Sequence, residues 1–192
     1  MRLPVLLALA ATLPLRADFP EPAIKLVAAA RSQIGVTTIY DPAYVKLPYP
    51  AGDVPEDRGV CTDVVIRAFR AMGLDLQRLV HEDMARAFSK YPQQWGLKSP
   101  DANIDHRRVP NLMRFFERAG KKIAVTKNPA DYRPGDIVSC IIPGNLAHIM
   151  LVCDAASPAD PKRFQIIPNI GAGAQMEDRL FDFEITGHYR YW

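Results

Sequence analysis

The sequence predicts an α+β fold in which N-terminal helices pack on a C-terminal antiparallel sheet. Up to about Gly120, apolar residues recur at helical spacing between Pro and Gly residues of the kind that begin and end helices. After Tyr132 the pattern changes to short β-rich runs separated by turn clusters. Because the helices precede the strands instead of alternating with them, the order favours an α+β arrangement over a parallel βαβ sheet.

The helical part of the chain divides at its Pro and Gly residues. Each segment carries a stripe of apolar residues at a spacing of three or four, which indicates one buried helix face. We predict four helices: Pro22 to Gly35, a helix that starts at Cys61 and is closed by Gly73, Asp75 to about Lys90, and PNLMRFFERAG, which Pro110 opens and Gly120 closes.

The strand-forming part contains the runs DIVSCIIP, AHIMLVC, FQIIPNI and EITGHYRYW. Turn clusters such as PGN and SPADPKR separate them, so the sequence predicts a meander of about four strands. Residues 36–59 hold four Pro residues and fit neither the helical nor the strand period. A long irregular loop of this kind is usually functional, as a lid or a binding loop, and it leads directly to Cys61.

Composition limits the classes of function. The 192 residues are 48% apolar and 23% charged, which is ordinary for one globular domain. The formal charge is only +3, and no run of five like charges occurs, so we expect no nucleic-acid partner. Three scattered Cys and four separated His give neither CxxC nor HExxH, and no glycine loop would cradle a phosphate. We therefore expect no metal and no cofactor.

The N-terminal residues, MRLPVLLALAATLPLRADFPEP, have the pattern of an export signal: one Arg, an apolar run too short to span a bilayer, and then small residues. We expect residues 1–17 to be a signal peptide and residues 18–192 to form a single domain. The protein would then be exported, to the periplasm or the extracellular space, with no membrane span. The alternative is a buried N-terminal helix.

Cysteine is the first indication of chemistry. Cys61 is expected at a helix N-terminus, where the helix dipole and free N–H groups favour a thiolate and can also face an oxyanion. The alternative is a small apolar residue packed behind the helix. Cys140 and Cys153 lie within aliphatic runs, where they would be buried thiols or, in an oxidising compartment, a disulfide.

A cysteine nucleophile needs a base and a group that orients it. His148 begins an aliphatic strand and is the candidate base, the alternative being a core histidine. Asn169 could orient the imidazole, or it could belong to a turn. His106 could bind substrate or cap the turn in which it lies, whereas His81 and His188 look structural.

The strings YDPAY, GVCTDVV, NIDHRRVPNL, RPGDIV, NIGAG and ITGHYRY resemble a family of uncharacterised exported bacterial proteins, from about Ala28 to Tyr191. The order of a helix ending in AARSQIG, a long loop, a Cys at a helix start, RPGDIV and AHIMLV also resembles the NlpC-type cysteine peptidases of the papain-like superfamily. This second resemblance implies a papain-like fold with Cys61 as nucleophile and His148 as base. It also implies amide substrates, notably the peptide stems of peptidoglycan.

The chain departs from the enzymes in two places. They usually continue their Cys with Ser-Gly, whereas Thr62-Asp63 follow here, so Asp63 would contact substrate or raise the pKa of the thiol. The third residue of the triad is often a His, where this chain has Pro168; Asn169 would replace it, or the site would work as a dyad. By the same resemblance Tyr40 is a candidate second oxyanion donor, the alternative being a loop anchor.

These observations predict a monomeric cysteine hydrolase in which Cys61 attacks an amide and His148 transfers the proton. Cys61, His148 and Asn169 would be catalytic, and the substrate contacts would come from Tyr40, Asp63 and His106. Two other functions fit the same sequence. One is a catalytically silent module that binds the cell wall, and the other is an acyltransferase that uses the same thioester chemistry.

Overall fold

A computed structural model describes residues 19–192 of the chain. The predicted signal peptide lies outside these residues. The described helices are α1 (Glu21–Arg31), α2 (Cys61–Arg70), α3 (Leu76–Ala87) and α4 (Val109–Arg118). All four precede the main sheet, so the predicted order of helices and strands is confirmed. Within residues 19–192 no helix combines the length and the apolar character that crossing a bilayer requires.

The helix ends follow the expected chemistry. The side chain of Asp75 accepts a hydrogen bond from the N–H of Gln77 and caps α3, which stops at Ala87 and continues as a single 3-10 turn through Lys90. Gly120 follows α4 with a φ of 70°, the left-handed conformation that closes a helix and that glycine adopts without strain.

The strands are β1 (Ile39–Tyr40), β2 (Arg58–Gly59), β3 (Lys122–Ile123), β4 (Ile137–Ile142), β5 (Leu146–Ala156), β6 (Phe164–Ile167) and β7 (Glu184–Tyr189). Five of them form an antiparallel main sheet in the order β3-β7-β4-β5-β6. The short strands β1 and β2 pair in parallel near the two ends of the long loop.

The four predicted strands are all present, but the prediction that they form a simple meander is wrong. β7 does not pair with β6; it returns across the sheet and pairs with β4, on the side away from β5. The reason is burial, because residues 137–140 of β4 are buried on both faces and β4 therefore occupies the centre of the sheet. The local sequence pattern of a strand does not indicate which other strand it pairs with.

Each face of the sheet has its own apolar core. The helices pack on one face, against alternate β5 residues Ile149, Leu151 and Cys153. The intervening residues Met150 and Val152 belong to a second cluster on the other face, together with Tyr132, Phe164 and Leu180 among others. We call these the helix face and the far face. Side chains alternate along a strand, so the regularly paired residues of β5, from Leu146 to Val152, are assigned to one face or the other.

Candidate functional site

A cleft of about 260 Å³ opens where the start of α2, the residues before α4 and the start of β5 meet. Tyr40, Cys61, Trp95, Arg108 and Ala147 are among its lining residues. The predicted loop of residues 36–59 thus borders the cleft through Tyr40 and reaches Cys61 at its end. Cys140 and Cys153 do not line this cleft and are fully buried free thiols, so the described structure contains no disulfide between them.

Cys61 is the first residue of α2, as the sequence predicted. Its side chain is almost fully buried, with 4% exposure, and lies in the core of the helix face. Burial raises the pKa of the Cys61 thiol to about 12. Hydrogen bonds from the N–H groups of Ile149 and Thr62 oppose this shift, whereas the charge of Asp63 adds to it. The thiol is therefore neutral at pH 7 in the described state, contrary to the expectation of an activated thiolate.

Asp63 caps the helix that carries the thiol. Its Oδ2 accepts a hydrogen bond of 2.6 Å from the N–H of Val60, and its carboxylate pairs with the guanidinium of Arg107 at 3.0 Å. A Cβ atom on Gly59 would lie 2.8 Å from Oδ2, so the cap needs a glycine there. Both oxygens of Asp63 are occupied within the protein, which leaves this side chain a structural role in place of the predicted substrate contact.

Arg107 joins three parts of the site. Its Nη1 donates to the carbonyl of Ala43 and its Nη2 to that of Asp41, which fastens the long loop beside α2. The carbonyl of Arg107 in turn accepts a hydrogen bond from the hydroxyl of Thr62. The Asp63–Arg107 pair therefore holds the start of α2, the loop and the segment before α4 in one arrangement.

Tyr40 lies at the mouth of the cleft and is 39% exposed. Partial burial raises the pKa of its phenol, and the nearby Cys61 and Asp63 raise it further. The phenol therefore stays protonated at neutral pH and can donate a hydrogen bond into the cleft. This position is compatible with the predicted role as an oxyanion donor.

The structure does not bring His148 into hydrogen-bonding contact with Cys61. His148 pairs with Cys140 in a regular stretch of the β4–β5 ladder, directly before Ile149. Because Ile149 lies on the helix face with the thiol, alternation places the imidazole on the far face. The ring is buried with 2% exposure, its Nε2 has no hydrogen-bond partner, and burial lowers its pKa to about 4.

Asn169 lies near the site but does not orient His148. Its amide nitrogen donates to the carbonyl of Gly59 at 3.1 Å, and its Oδ1 is buried without a hydrogen-bond partner. An isolated bridge joins it to Ala174, so it belongs to a short extension beyond β6. Asn169 therefore helps to position the residue two before the thiol, and the predicted Cys-His-Asn chain of hydrogen bonds is not formed in the described state.

His106 is buried with 2% exposure and does not line the cleft. Burial lowers its pKa to about 3, and the neighbouring Arg70 and Arg107 lower it further. Its predicted substrate contact is not available in this geometry. Across residues 19–192 no group of three His, Cys, Asp or Glu side chains could hold a metal ion.

Among the cleft residues that sequence reasoning missed, Trp95, Arg107 and Arg108 carry the aromatic and charged side chains. The sequence did contain a signal for the two arginines. Cations at a helix N-terminus oppose the helix dipole, so two arginines directly before α4 indicate that their side chains pair with groups outside this helix. Trp95 stands in an irregular stretch whose pattern gives no indication of its neighbours.

Comparison with known proteins identifies the family of this chain but gives no activity for it. A family described as "Domain of unknown function (DUF1287)" matches residues 27–191. The chain is 59% identical over 164 residues to "Uncharacterized protein YijF" of Escherichia coli (strain K12), a match that covers 85% of this chain and 78% of the relative. No solved structure matched the chain.

Proposed function

We propose that this chain, which belongs to the DUF1287 family, is a cysteine hydrolase that cleaves amide bonds with Cys61 as its nucleophile. One observation carries the proposal: of the three cysteines, Cys61 is the one that both begins a helix and lines an open cleft. The resemblance to NlpC-type peptidases supports a papain-like fold and a substrate among the peptide stems of peptidoglycan.

The reaction proceeds in two steps. The Cys61 sulfur attacks the carbonyl carbon of the amide, a C–S bond forms, and the C–N bond breaks as the thiol proton passes to the leaving amine. Water then attacks the thioester, which releases the acid and restores the thiol. The N–H groups of Thr62 and Ile149 contact the sulfur and would stabilise its anion, and the N–H of Cys61 and the phenol of Tyr40 are the proposed oxyanion donors.

The proposed base is His148, and it has to reach the other face of β5. A shift of one residue in strand pairing exchanges the two faces of a strand. The turn between β4 and β5 lies close by, with Gly144 and Asn145 in left-handed conformations, and Leu146 and Ala147 are exposed. We infer that the first residues of β5 change their pairing when substrate binds, and that the described structure is the resting state.

The direct test is incubation of the protein with purified muropeptides, followed by mass spectrometry of the products. Cys61→Ala should abolish hydrolysis, whereas Cys140→Ala, which removes a thiol outside the cleft, should retain it. Product masses also separate hydrolysis from transfer to an amine. Undiminished hydrolysis by Cys61→Ala would remove the proposal.

The role of His148 has its own test. His148→Ala should lower the hydrolysis rate by about 100-fold or more, the usual contribution of general acid–base catalysis. Moving the imidazole to the cleft, in the double variant Ala147→His/His148→Ala, should restore part of that rate because residue 147 lines the cleft. A His148→Ala variant with the full rate would exclude this base.

A second candidate is a cell-wall-binding module without catalysis. The raised pKa of the Cys61 thiol, together with the absence of a hydrogen bond between it and an imidazole, favours this alternative. It differs from the hydrolase in its response to thiol modification. A module would bind muropeptides equally well after alkylation by a reagent small enough for the cleft, and it would release no product.

Both candidates act outside the cytoplasm, since peptidoglycan stems are found there. The predicted signal peptide of residues 1–17 supports export to the periplasm or the extracellular space. Attaching residues 1–17 to a reporter that is active only after export would test whether they direct export. A reporter that stays inactive would contradict the proposed location.

A further inference from the structure

Two adjacent arginines border the cleft, and their bonding differs. Arg107 has a side chain only 2% exposed, and its Nε, Nη1 and Nη2 all donate to Asp63 or to loop carbonyls. Its positive charge is neutralised and its donors are occupied. Arg107 therefore has a structural task and no capacity left for a ligand.

Arg108 has hydrogen-bond donors that are not occupied within residues 19–192. Its side chain is 18% exposed, and its hydrogen bonding within residues 19–192 is one contact of 3.1 Å, from Nη1 to the carboxylate of Asp105. The guanidinium lies 4.1 Å from the ring centre of Trp95. Cation–π attraction holds the guanidinium over the ring, and its Nε and Nη2, which have no hydrogen-bond partner within residues 19–192, can donate to a planar acceptor.

The charge around Arg108 favours an anion. Asp105 is almost fully buried and does not line the cleft; its Oδ2 already accepts a hydrogen bond of 2.6 Å from the N–H of Asp101. No Asp or Glu is among the residues that line the cleft. The carboxylates behind the cleft wall, Asp63 and Asp105, are each paired with an arginine, so the wall presents a guanidinium with free donors and no unpaired acidic side chain.

We propose that Arg108, whose guanidinium lies over the ring of Trp95, binds a carboxylate of the peptide substrate, so that the cleft selects anionic peptides. The inference rests on the proposed function, because the ligand is the peptide whose amide Cys61 would attack. It goes further in naming the chemical group that the substrate must carry and the residue that recognises it. Arg108 would be a specificity residue, bound to a part of the substrate that does not react.

The test measures binding separately from turnover. In a Cys61→Ala background, isothermal titration calorimetry compares a disaccharide-tetrapeptide muropeptide with the same compound after its carboxylates are converted to primary amides. The carboxylate form should bind more tightly. Arg108→Gln should weaken its binding about 10- to 100-fold, the range for a charge-assisted hydrogen bond, and should leave the affinity for the amide form unchanged.

Two further variants control the comparison. Arg114→Gln removes a charge from α4 at an exposed position outside the cleft and should leave both affinities unchanged. Arg108→Lys keeps the charge beside Asp105, which protects the fold, but loses the planar fork, so its affinity should be intermediate. It also serves as the test if Arg108→Gln does not fold.

The outcomes separate the two proposals. Equal affinity of the unsubstituted cleft for both compounds, no detectable binding of either, or unchanged binding in both Arg108 variants would overturn the carboxylate site. Carboxylate-dependent binding without any Cys61-dependent hydrolysis would support the site and remove the hydrolase. Cys61-dependent hydrolysis that is equally fast on both compounds would retain the hydrolase and remove the site.

Discussion

Of the three buried carboxylates within residues 19–192, Asp63 and Asp136 each hold a cluster of polar partners, and these two clusters differ in what surrounds them. The cleft pair, Asp63 and Arg107, lies beside the open cleft and the candidate thiol. The closed triad consists of Asp136, His188 and Arg190, in which Asp136 contacts both partners at 2.7 Å. No member of the closed triad lines the cleft. A buried charge is thus compatible with a purely structural task, and the open cleft is what distinguishes the functional region.

The buried histidines sharpen this comparison. In His188, Nε2 faces the Asp136 carboxylate and Nδ1 lies 3.2 Å from the carbonyl of Ala124, so both ring nitrogens have partners. In His148, Nε2 has none. A buried polar atom without a partner costs free energy. Nδ1 of the buried His106 also lacks a partner, so this feature separates His148 from His188 but does not by itself indicate a role in chemistry.

The largest expected effect concerns the closed triad. Asp136→Ala removes a buried carboxylate from its two partners, the fully buried His188 and the partly exposed Arg190, and should lower the free energy of unfolding by about 3–5 kcal/mol. Urea unfolding measures this loss of stability. Glu82→Gln, which breaks an exposed pair with Arg78, is the control and should cost at most about 1 kcal/mol. Equal losses in the two variants would show that the triad is not a buried structural unit.

The second effect is a loss of stability in acid. His148 has an ordinary pKa of 6.5 and a folded pKa of about 4, so between these values the unfolded chain binds a proton that the folded protein does not. Stability from this residue is complete above pH 6.5 and falls as the pH decreases toward 4, by about 1.4 kcal/mol per pH unit at most. His148→Gln should remove this contribution to the slope, as measured by urea unfolding at several pH values, and leave that of His106, whose pKa is lowered to about 3. An unchanged slope would contradict the buried neutral imidazole.

The third effect concerns the cap of the cleft pair. Gly59→Ala places a Cβ within 2.9 Å of both Oδ2 and Cβ of Asp63, which overpacks the start of α2. The free energy of unfolding should fall by about 1–3 kcal/mol. Gly73→Ala is a matched control at a glycine with open space around it, where only the left-handed backbone conformation is strained. A loss at Gly59 no greater than that at Gly73 would argue against the close approach.

The smallest effect is on thiol reactivity in the resting protein. Because the pKa of Cys61 is raised to about 12, its alkylation by iodoacetamide should be slow at pH 7 and should rise about tenfold per pH unit without levelling off below pH 10. The modified residue, identified by mass spectrometry, should be Cys61 and not the buried Cys140. A plateau near pH 7 would reveal a thiolate already formed before substrate binds.

Much of the fold could be predicted from the sequence because it depends on local patterns. The helix that begins at Cys61, the cap at Asp75 and the four strand runs all follow from spacing and end signals. The return of β7 to β4 could not be predicted, since strand pairing depends on contacts between distant residues.

The site shows the same limit more sharply. The position of Cys61 at a helix start follows from its neighbours, but the face on which His148 lies depends on the register of β5 against the helices. The tasks of Asp63 and His106 also depend on distant partners, Arg107 for the first and the surrounding burial for the second. Residue type and spacing therefore identify candidates, and tertiary contacts decide which of them reach the cleft.

The central claim is that the Cys61 sulfur forms a covalent bond with the substrate. Rapid quenching of the protein with muropeptide, followed by digestion and mass spectrometry, tests it most directly. An acyl group on the peptide of residues 59–67, absent from the Cys61→Ala protein, is the result expected of a thioester intermediate. Product release from the Cys61→Ala protein at the original rate, with no acylated peptide at any quench time, would contradict the claim.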